Sequence, residues 1–112
     1  MAANDFLRER NKALTKLEKE IERKLCERVK RLGGLCLKWV CPGWAGVPDR
    51  IILMPGGRVY FAELKRPKGG TISPPQRWWA DKLRSIGFWS VFIQTEAELD
   101  AFELILIEEK RR

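Results

Sequence analysis

The 112-residue chain contains no histidine. Histidine is the side chain that most often changes its charge near neutral pH, and it is a frequent metal ligand. Every mechanism that needs an imidazole as base, nucleophile or metal ligand is therefore excluded. Any chemistry in this chain must use carboxylates, lysine and water.

Cysteine is scarce as well. Cys26, Cys36 and Cys41 are odd in number and include no C-x-x-C pair. Disulfide frameworks use even numbers of cysteines and zinc sites use closely spaced pairs, so the sequence indicates neither. We expect three reduced thiols, two of which could fill space in the core.

Long apolar runs are also missing. No run approaches the ~18 residues that a membrane-spanning helix needs, and residues 1–10 are charged where a signal peptide would be apolar. We therefore expect a cytoplasmic protein without a membrane segment. The length and the 45% hydrophobic content suffice for one core, which predicts a single domain over residues 1–112.

Positive charge is abundant by contrast. The 22 Lys and Arg residues outnumber the 15 Asp and Glu residues, which gives a formal net charge of +7 and a pI near 9.7. Such a surplus favours a polyanionic partner, and nucleic acid is the obvious one. The alternative is a solvated surface that happens to be basic, so the charge leaves the function open.

Hydrophobic periodicity predicts an α/β domain. Apolar residues recur at steps of three and four from Leu14 to Leu32, which is typical of an amphipathic helix ending at Gly33-Gly34. Residues 1–13 look like a loosely ordered lead-in. A short β-type run over 35–40 and a loop over 41–46 follow.

The rest of the chain alternates strands and helices. Strands over 50–54 and 58–64 flank Pro55-Gly56-Gly57 and form a predicted hairpin. Ser73 and Gln76 form a capping box that opens a second helix, a strand covers 88–94, and a final helix begins after Thr95. The expected fold is an αβββαβ core with a mixed sheet flanked by helices and an extra C-terminal helix. One sequence does not determine the strand order.

Two acidic residues and a lysine should meet on the hairpin. If the turn is centred on Gly56, Asp49 and Glu63 lie nearly opposite each other, about 5 Å apart by ladder geometry. Glu63 and Lys65 share one face of their strand, because side chains alternate, and Leu64 points into the core. Close carboxylates repel, so such a site normally holds a divalent cation, and oxygen ligands select Mg²⁺ or Mn²⁺. An exposed edge-strand face and an ordinary turn are the alternatives.

These residues, in this order, resemble a known family. Gly46-Val47-Pro48-Asp49, a strand and glycine turn, Glu63-Leu64-Lys65 and then Ser73-Pro-Pro-Gln76 are similar to the virus-type replication-repair nuclease (VRR-NUC) domain. This domain is a branch of the P-D…(D/E)-x-K nuclease superfamily, which includes archaeal Holliday junction resolvases. The resemblance covers about residues 18–94. A P-D or an E-x-K alone is weak, but the whole series in this spacing is specific.

The resemblance implies a metal-dependent endonuclease that hydrolyses DNA. It makes Asp49, Glu63 and the main-chain carbonyl of Leu64 metal ligands, gives Lys65 the catalytic role and places Gln76 beside the site. The capping box also explains Gln76, and the two roles are compatible. Branched, flapped or junction DNA, a role in DNA repair and a small homodimer are further implications. A non-catalytic DNA-binding module on a nuclease fold remains the alternative.

The resemblance also implies a glutamate on the first helix. Both Glu18 and Glu22 precede the glycines at suitable distances. On a helical wheel of ~100° per residue, Glu18 lies within the apolar stripe and Glu22 lies at its margin. We prefer Glu18, because a carboxylate that faces a core needs a compensating partner such as a metal.

Residues near the predicted site are candidates for DNA contact. Arg66 and Lys68 belong to a basic, glycine-rich loop that directly follows Lys65, and Arg50 directly follows Asp49. Trp44 precedes the acidic residues in a loop and could stack on an unpaired base. The stand-alone form of the domain also suggests a gene of viral or prophage origin.

Overall fold

Helices and strands alternate along the chain in the computed structural model, which describes residues 2–66 and 69–110 and, inside the first helix, leaves out the side chains of residues 14 and 15. The element order matches the expected αβββαβ core followed by a C-terminal helix. In chain order the elements are α1 (Ala3–Arg31), β1 (Leu35–Lys38), β2 (Arg50–Met54), β3 (Arg58–Leu64), α2 (Pro74–Ser85), β4 (Trp89–Ile93) and α3 (Glu96–Lys110).

The described strands form one mixed sheet in the order β1-β2-β3-β4. β1, β2 and β3 pair antiparallel, whereas β3 and β4 pair parallel, and α2 supplies the long crossover that a parallel pair requires. Met54 faces Arg58 across the hairpin, so the turn is centred on Gly56 as predicted. β1 is shorter than predicted because only one main-chain bond, from Trp39 to Asp49, extends the pairing before the chain enters a loop.

One face of the sheet carries the main core. α1 and α3 cover this face, and Leu64 is buried there while its neighbour Glu63 points to the opposite face, as the alternation of a strand requires. Each fully buried aliphatic side chain contributes about 1.5–3 kcal/mol relative to exposure. The core consists of Ile21, Leu25, Val29, Ile52, Met54, Tyr60, Ala62, Leu64, Ile93, Leu99, Phe102 and Leu106.

Helix α1 is longer than the apolar pattern indicated. It begins at Ala3, so the segment that we expected to be a lead-in is helical from that residue onward, and its described side chains are exposed. Burial starts only at Ile21, and Leu17 remains 46% exposed. Residues 3–13 are rich in Ala, Leu, Arg, Lys and Glu, whose helix propensity favours a helix without any packing partner.

The outer side of α1 is joined to α3 by ion pairs. Arg28 donates to Asp100 over 2.6 Å and to Glu103 over 3.3 Å, and Lys24 donates to Glu96 over 2.9 Å. The Asp100 hydrogen bond is the largest cause of the raised pKa of Arg28. The two helices are thereby fixed side by side on the sheet. Among the described helices, none combines the length and the apolar content that a membrane crossing requires.

Candidate active site

Asp49 and Glu63 lie next to each other at one end of the hairpin. The register pairs Arg50 with Ala62, so one further step places Asp49 opposite Glu63. The backbone amide of Asp49 donates to Oε2 of Glu63 over 2.9 Å. In the other direction, the Leu64 amide lies 3.4 Å from both carboxylate oxygens of Asp49. Each carboxylate is therefore held by the main chain of the opposite strand.

Gln76 links Glu63 of β3 to Lys65, which follows two residues later. Its amide nitrogen donates to Oε1 of Glu63 over 3.0 Å, and its Oε1 accepts from Nζ of Lys65 over 2.7 Å. Lys65 Nζ lies 3.7 Å from Oε1 of Glu63, and both side chains are largely buried. The lysine is thus fixed beside the carboxylate pair by a neutral bridge.

Gln76 also closes the capping box of α2. Ser73 accepts a long bond of 3.4 Å from the Gln76 amide, and the Ser73 amide donates to the Gln76 side chain over 2.9 Å. One oxygen of Gln76 therefore serves the helix start and Lys65 together. The sequence allowed either role for this residue, and the structure shows both sets of contacts.

The loop before Asp49 packs against the start of α2. Gly46 has a φ of +87°, and a Cβ at this position would lie 2.6 Å from atoms of Pro75 and 2.8 Å from the Gln76 amide. A side chain would clash with backbone there, so glycine is required. This close approach brings Asp49 and Gln76, which lie 27 residues apart, to the same place.

A polar cavity of about 280 Å³ opens at this end of the sheet. Glu18 of α1 contributes from one side, and Gly70 closes the other, where a Cβ would lie 2.8 Å from the Arg66 carbonyl oxygen. The lining residues are Glu18, Asp49, Glu63, Leu64, Lys65, Arg66, Gly69, Gly70 and Thr71. The structure therefore brings the predicted acidic residues and the lysine into one cavity.

Burial and mutual repulsion shift the carboxylates toward their neutral forms. Burial is the largest cause that raises the pKa of Asp49 to about 7, and the charge of Glu63 is the next. Burial also raises the pKa of Glu63, although Lys65 opposes this rise. Two carboxylates that are costly to ionise together are a sign of a site that receives a positive charge.

The side chains alone do not complete a metal site. Within residues 2–66 and 69–110, no three Cys, Asp or Glu side chains are grouped closely enough to hold a metal ion. The donors available at the cavity are the carboxylates of Asp49 and Glu63, the nearby carboxylate of Glu18 and the main chain at Leu64. A cation at this position would need main-chain or water oxygens besides the two central carboxylates.

Glu22 has a different neighbourhood from Glu18. It forms an ion pair with Arg50, whose side chain is only 11% exposed. Arg50, which we expected to contact DNA, is therefore turned toward α1 and engaged within the domain. Glu22 does not line the cavity, whereas Glu18 does.

Of the other residues expected to contact DNA, one lines the cavity and another lies on a neighbouring aromatic surface. Arg66 lines it, and Lys68 falls outside the described residues. Trp44 is 60% exposed and lies edge-on to Trp79, with ring centroids 5.7 Å apart. Trp78 is 54% exposed beside them, so an aromatic surface borders the loop that carries Asp49.

Sequence reasoning missed several supports of the site. The indole nitrogen of Trp79 donates to the Ala45 carbonyl over 3.1 Å and fixes the loop to α2. Gly70 and Thr71 line the cavity, and the only signal for them was a glycine pair after a basic loop. The thiols of Cys26 on α1 and Cys36 on β1 lie together, and burial is the main cause of the raised pKa of Cys36. Cys41 is also a free thiol.

Comparisons with known proteins agree with this arrangement. No family model matches the chain. A solved structure of a VRR_NUC domain superimposes with a TM-score of 0.70 at 26% identity, over 75% of this chain and 90% of the other.

A curated relative is "Putative nuclease p44" of Acyrthosiphon pisum secondary endosymbiont phage 1. It is 44% identical over 50 residues, which is 45% of this chain and 54% of the relative. The matching region thus spans about half of that phage protein's length.

Proposed function

Because the chain has the VRR-NUC nuclease fold, we propose that it is a metal-dependent endonuclease that hydrolyses phosphodiester bonds in DNA. The observation that carries the proposal is the meeting of Asp49, Glu63 and Lys65 in one polar cavity. A fold alone does not determine activity, since many folds host several functions. A carboxylate pair with a fixed lysine is the chemistry that phosphodiester hydrolysis needs.

The donor set fits Mg²⁺ or Mn²⁺. Carboxylate and carbonyl oxygens are hard ligands that suit these ions better than zinc or copper. Asp49 and Glu63 would hold the cation, with the Leu64 carbonyl and Glu18 or its bound water as further ligands. When bound, such an ion polarises a phosphate oxygen and lowers the pKa of a water molecule. Burial and then the charge of Glu63 raise the pKa of Asp49, and a bound cation would offset both effects, which supports this assignment.

Lys65 is proposed as the catalytic residue. The ammonium group of Lys65 donates to Oε1 of Gln76 over 2.7 Å. This bond fixes the ammonium group 3.7 Å from the carboxylate of Glu63. There it can orient the attacking water and stabilise the charge that builds up on the phosphate oxygens. The attacking water would form the new P–O bond and lose one proton to solvent. The P–O bond to the sugar would break, and the sugar oxygen would take up a proton from solvent. Hydrolysis of a phosphodiester requires a barrier reduction of roughly 20 kcal/mol, which lysine alone could not provide.

Branched, flapped or junction DNA is the proposed substrate class. Support comes from the aromatic surface of Trp44 and Trp78, since exposed rings can stack on unpaired bases. Arg66 at the cavity and Lys68, two residues further along the sequence, are proposed to contact phosphates. A homodimer would enlarge the small surface that one domain offers to a branched substrate. A cytoplasmic site of action and a phage or prophage origin complete the proposal, and the phage relative supports the origin.

The alternative is a DNA-binding module that keeps the fold without catalysis. It is disfavoured because Asp49, Glu63, Lys65 and Gln76 are all present and are joined in a series of hydrogen bonds. Calorimetric titration with Mn²⁺ separates the two. The endonuclease should bind the ion, and Asp49→Ala should abolish the binding. Equal heats for both proteins would favour the non-catalytic module.

A panel of labelled DNA structures tests the activity. Duplex, flap, splayed-arm and four-way junction DNA would be incubated with the chain in Mg²⁺ or Mn²⁺. We expect internal cuts that depend on the ion and are fastest at branched structures. Absence of cuts in every structure with either ion would overturn the proposed activity, and equal rates on all structures would overturn only the preference.

A further inference from the structure

We propose that four basic residues on the projecting part of α1 bind the phosphate backbone of the DNA arm that leaves the cavity. Arg8, Lys12, Lys16 and Lys19 form this group, which we call the basic stripe. The inference rests on the proposed nuclease function and extends it from the cutting site to the path of the DNA. The stripe lies in the helical segment that precedes the buried part of α1.

Helix geometry places the four side chains on one side of α1. Their spacing of four, four and three residues confines them to about 80° of the helical wheel. They line a common concave surface together with Asn11. From Arg8 to Lys19 the helix rises by about 16 Å. Successive phosphates of one DNA strand are about 3.4 Å apart along the duplex axis, so the stripe spans roughly five of them.

The stripe differs from the other basic residues of α1 in its partners. Lys24 and Arg28 form ion pairs with α3, and Arg23 forms ion pairs with Glu20 and Glu27. In the described part of the chain, no residue of the stripe forms an ion pair, and all four are exposed. The charges of the stripe are therefore available to an external anion.

The stripe ends beside the candidate active site. Lys19 directly follows Glu18, which lines the cavity with Asp49 and Glu63, and its side chain points about 100° further around the helix axis. From there the helix continues outward, because residues 2–13 are exposed and pack against no part of the core. DNA that follows the side of α1 away from the cavity would reach this row of cations. This continuity favours DNA as the polyanion.

An anionic membrane surface is the other polyanion to test. Phe6 and Leu17 are 60% and 46% exposed. They lie about 120° to 140° around the helix axis from the centre of the stripe. A helix with one basic and one apolar side can adsorb to anionic lipid. The position of the stripe next to the cavity favours DNA, and the experiment includes anionic vesicles.

The experiment compares the salt dependence of DNA binding in two charge-matched variants. The stripe variant carries Arg8→Gln, Lys12→Gln, Lys16→Gln and Lys19→Gln. The control carries Lys30→Gln, Arg31→Gln, Lys82→Gln and Lys110→Gln, which change exposed residues elsewhere. Glutamine keeps the helix propensity of lysine, so α1 should persist in both. Binding to a fluorescent duplex would be measured by anisotropy in Ca²⁺ over a series of salt concentrations.

Each lost phosphate contact reduces the log–log salt slope by about 0.9. We expect the stripe variant to lose about 3 to 4 in slope and the control to lose less than about 1. A variant that carries arginine in place of the three stripe lysines keeps the positive charges and should show the wild-type slope. Equal losses in both four-residue variants, or an unchanged slope in the stripe variant, would overturn the inference.

Two further measurements distinguish failure of the stripe assignment from failure of the proposed nuclease function. In the first, the wild-type chain and the stripe variant are mixed with phosphatidylserine vesicles. If only the wild type binds the vesicles and both bind DNA equally, the partner of the stripe is an anionic membrane and not DNA. Cleavage of the DNA panel by the wild-type chain tests the proposed function separately. If the wild type cuts DNA while the stripe variant keeps the wild-type slope, only the stripe assignment fails.

Discussion

The main-chain amide of Asp49 donates a hydrogen bond to the carboxylate of Glu63 over 2.9 Å. This bond, at the open end of the hairpin, holds two carboxylates that would otherwise repel each other. Lys65 then lies beside the pair, 3.7 Å from Glu63. Two buried carboxylates are costly to ionise together, and the proposed cation would offset that cost, which leads to the following predictions.

The stability of the metal-free protein should decrease as pH rises toward neutrality. Burial raises the pKa of Asp49 from 3.8 to about 7, so between these values the folded state binds more protons than the unfolded state. The free energy of unfolding therefore falls with rising pH over this interval and levels off above it. Thermal unfolding in EDTA, followed by circular dichroism at several pH values, measures this dependence.

Asp49→Asn should remove much of that dependence and should raise or maintain the melting temperature near pH 7. The exposed Asp5 offers a control, since Asp5→Asn should leave the wild-type curve unchanged. A pH dependence in Asp49→Asn as steep as in the wild type would contradict the assignment. A large fall in its melting temperature would instead identify Asp49 as structural.

Metal affinity should depend on both carboxylates. An amide is a poor ligand for a hard cation, so Asp49→Asn and Glu63→Gln should each lose Mn²⁺ binding and cleavage together. Calorimetry with Mn²⁺ and cleavage of a flap substrate provide the two readouts. Binding that persists in Glu63→Gln would show that the cation is held elsewhere.

Glu18 and Glu22 should have separate roles. Glu18→Gln should lower the cleavage rate more than Glu22→Gln, because only Glu18 lines the cavity. Glu22→Gln should instead lower the free energy of unfolding by about 1–3 kcal/mol, since it removes the negative charge that pairs with the largely buried Arg50. Cleavage kinetics and urea unfolding measure the two effects. The reverse order of rates would move the site role to Glu22.

Trp44→Ala should weaken binding to DNA that has unpaired bases. Loss of one aromatic stack costs about 1–3 kcal/mol per base, whereas binding to a blunt duplex should change little. Trp89→Ala is a matched control, because Trp89 is 44% exposed on a different part of the surface. Anisotropy with flap and duplex DNA in Ca²⁺ gives the comparison. Equal effects on both DNA structures would place Trp44 outside the recognition of unpaired bases.

The sequence determined the local geometry of the site because the relevant relationships are short. Alternation along β3 separates Glu63 from Leu64, and the turn at Gly56 determines which residues face each other. Both follow from backbone geometry alone. Helical periodicity alone likewise predicted that Glu18 lies on the same side of α1 as the buried Ile21 and Leu25.

Other features depend on contacts between distant parts of the chain, so they could not be predicted from local sequence patterns. The ion pair of Arg50 with Glu22 joins β2 to α1, and the Trp79 bond to Ala45 joins α2 to a loop. The order of the strands depends on pairing between segments far apart in sequence. The start of α1 was missed because residues 3–13 have helix propensity without an apolar stripe that becomes buried.

The most direct test is the rate of DNA cleavage by Lys65→Ala, measured in Mn²⁺ beside the wild type and the surface control Lys82→Ala. In the proposed mechanism Lys65 lies at the reacting phosphate, but it is one of 22 basic residues, so its loss should spare folding and most DNA binding. We expect a rate reduced by about a hundredfold or more, with Lys82→Ala close to the wild type. Cleavage by Lys65→Ala at the wild-type rate would contradict the assignment of the active site.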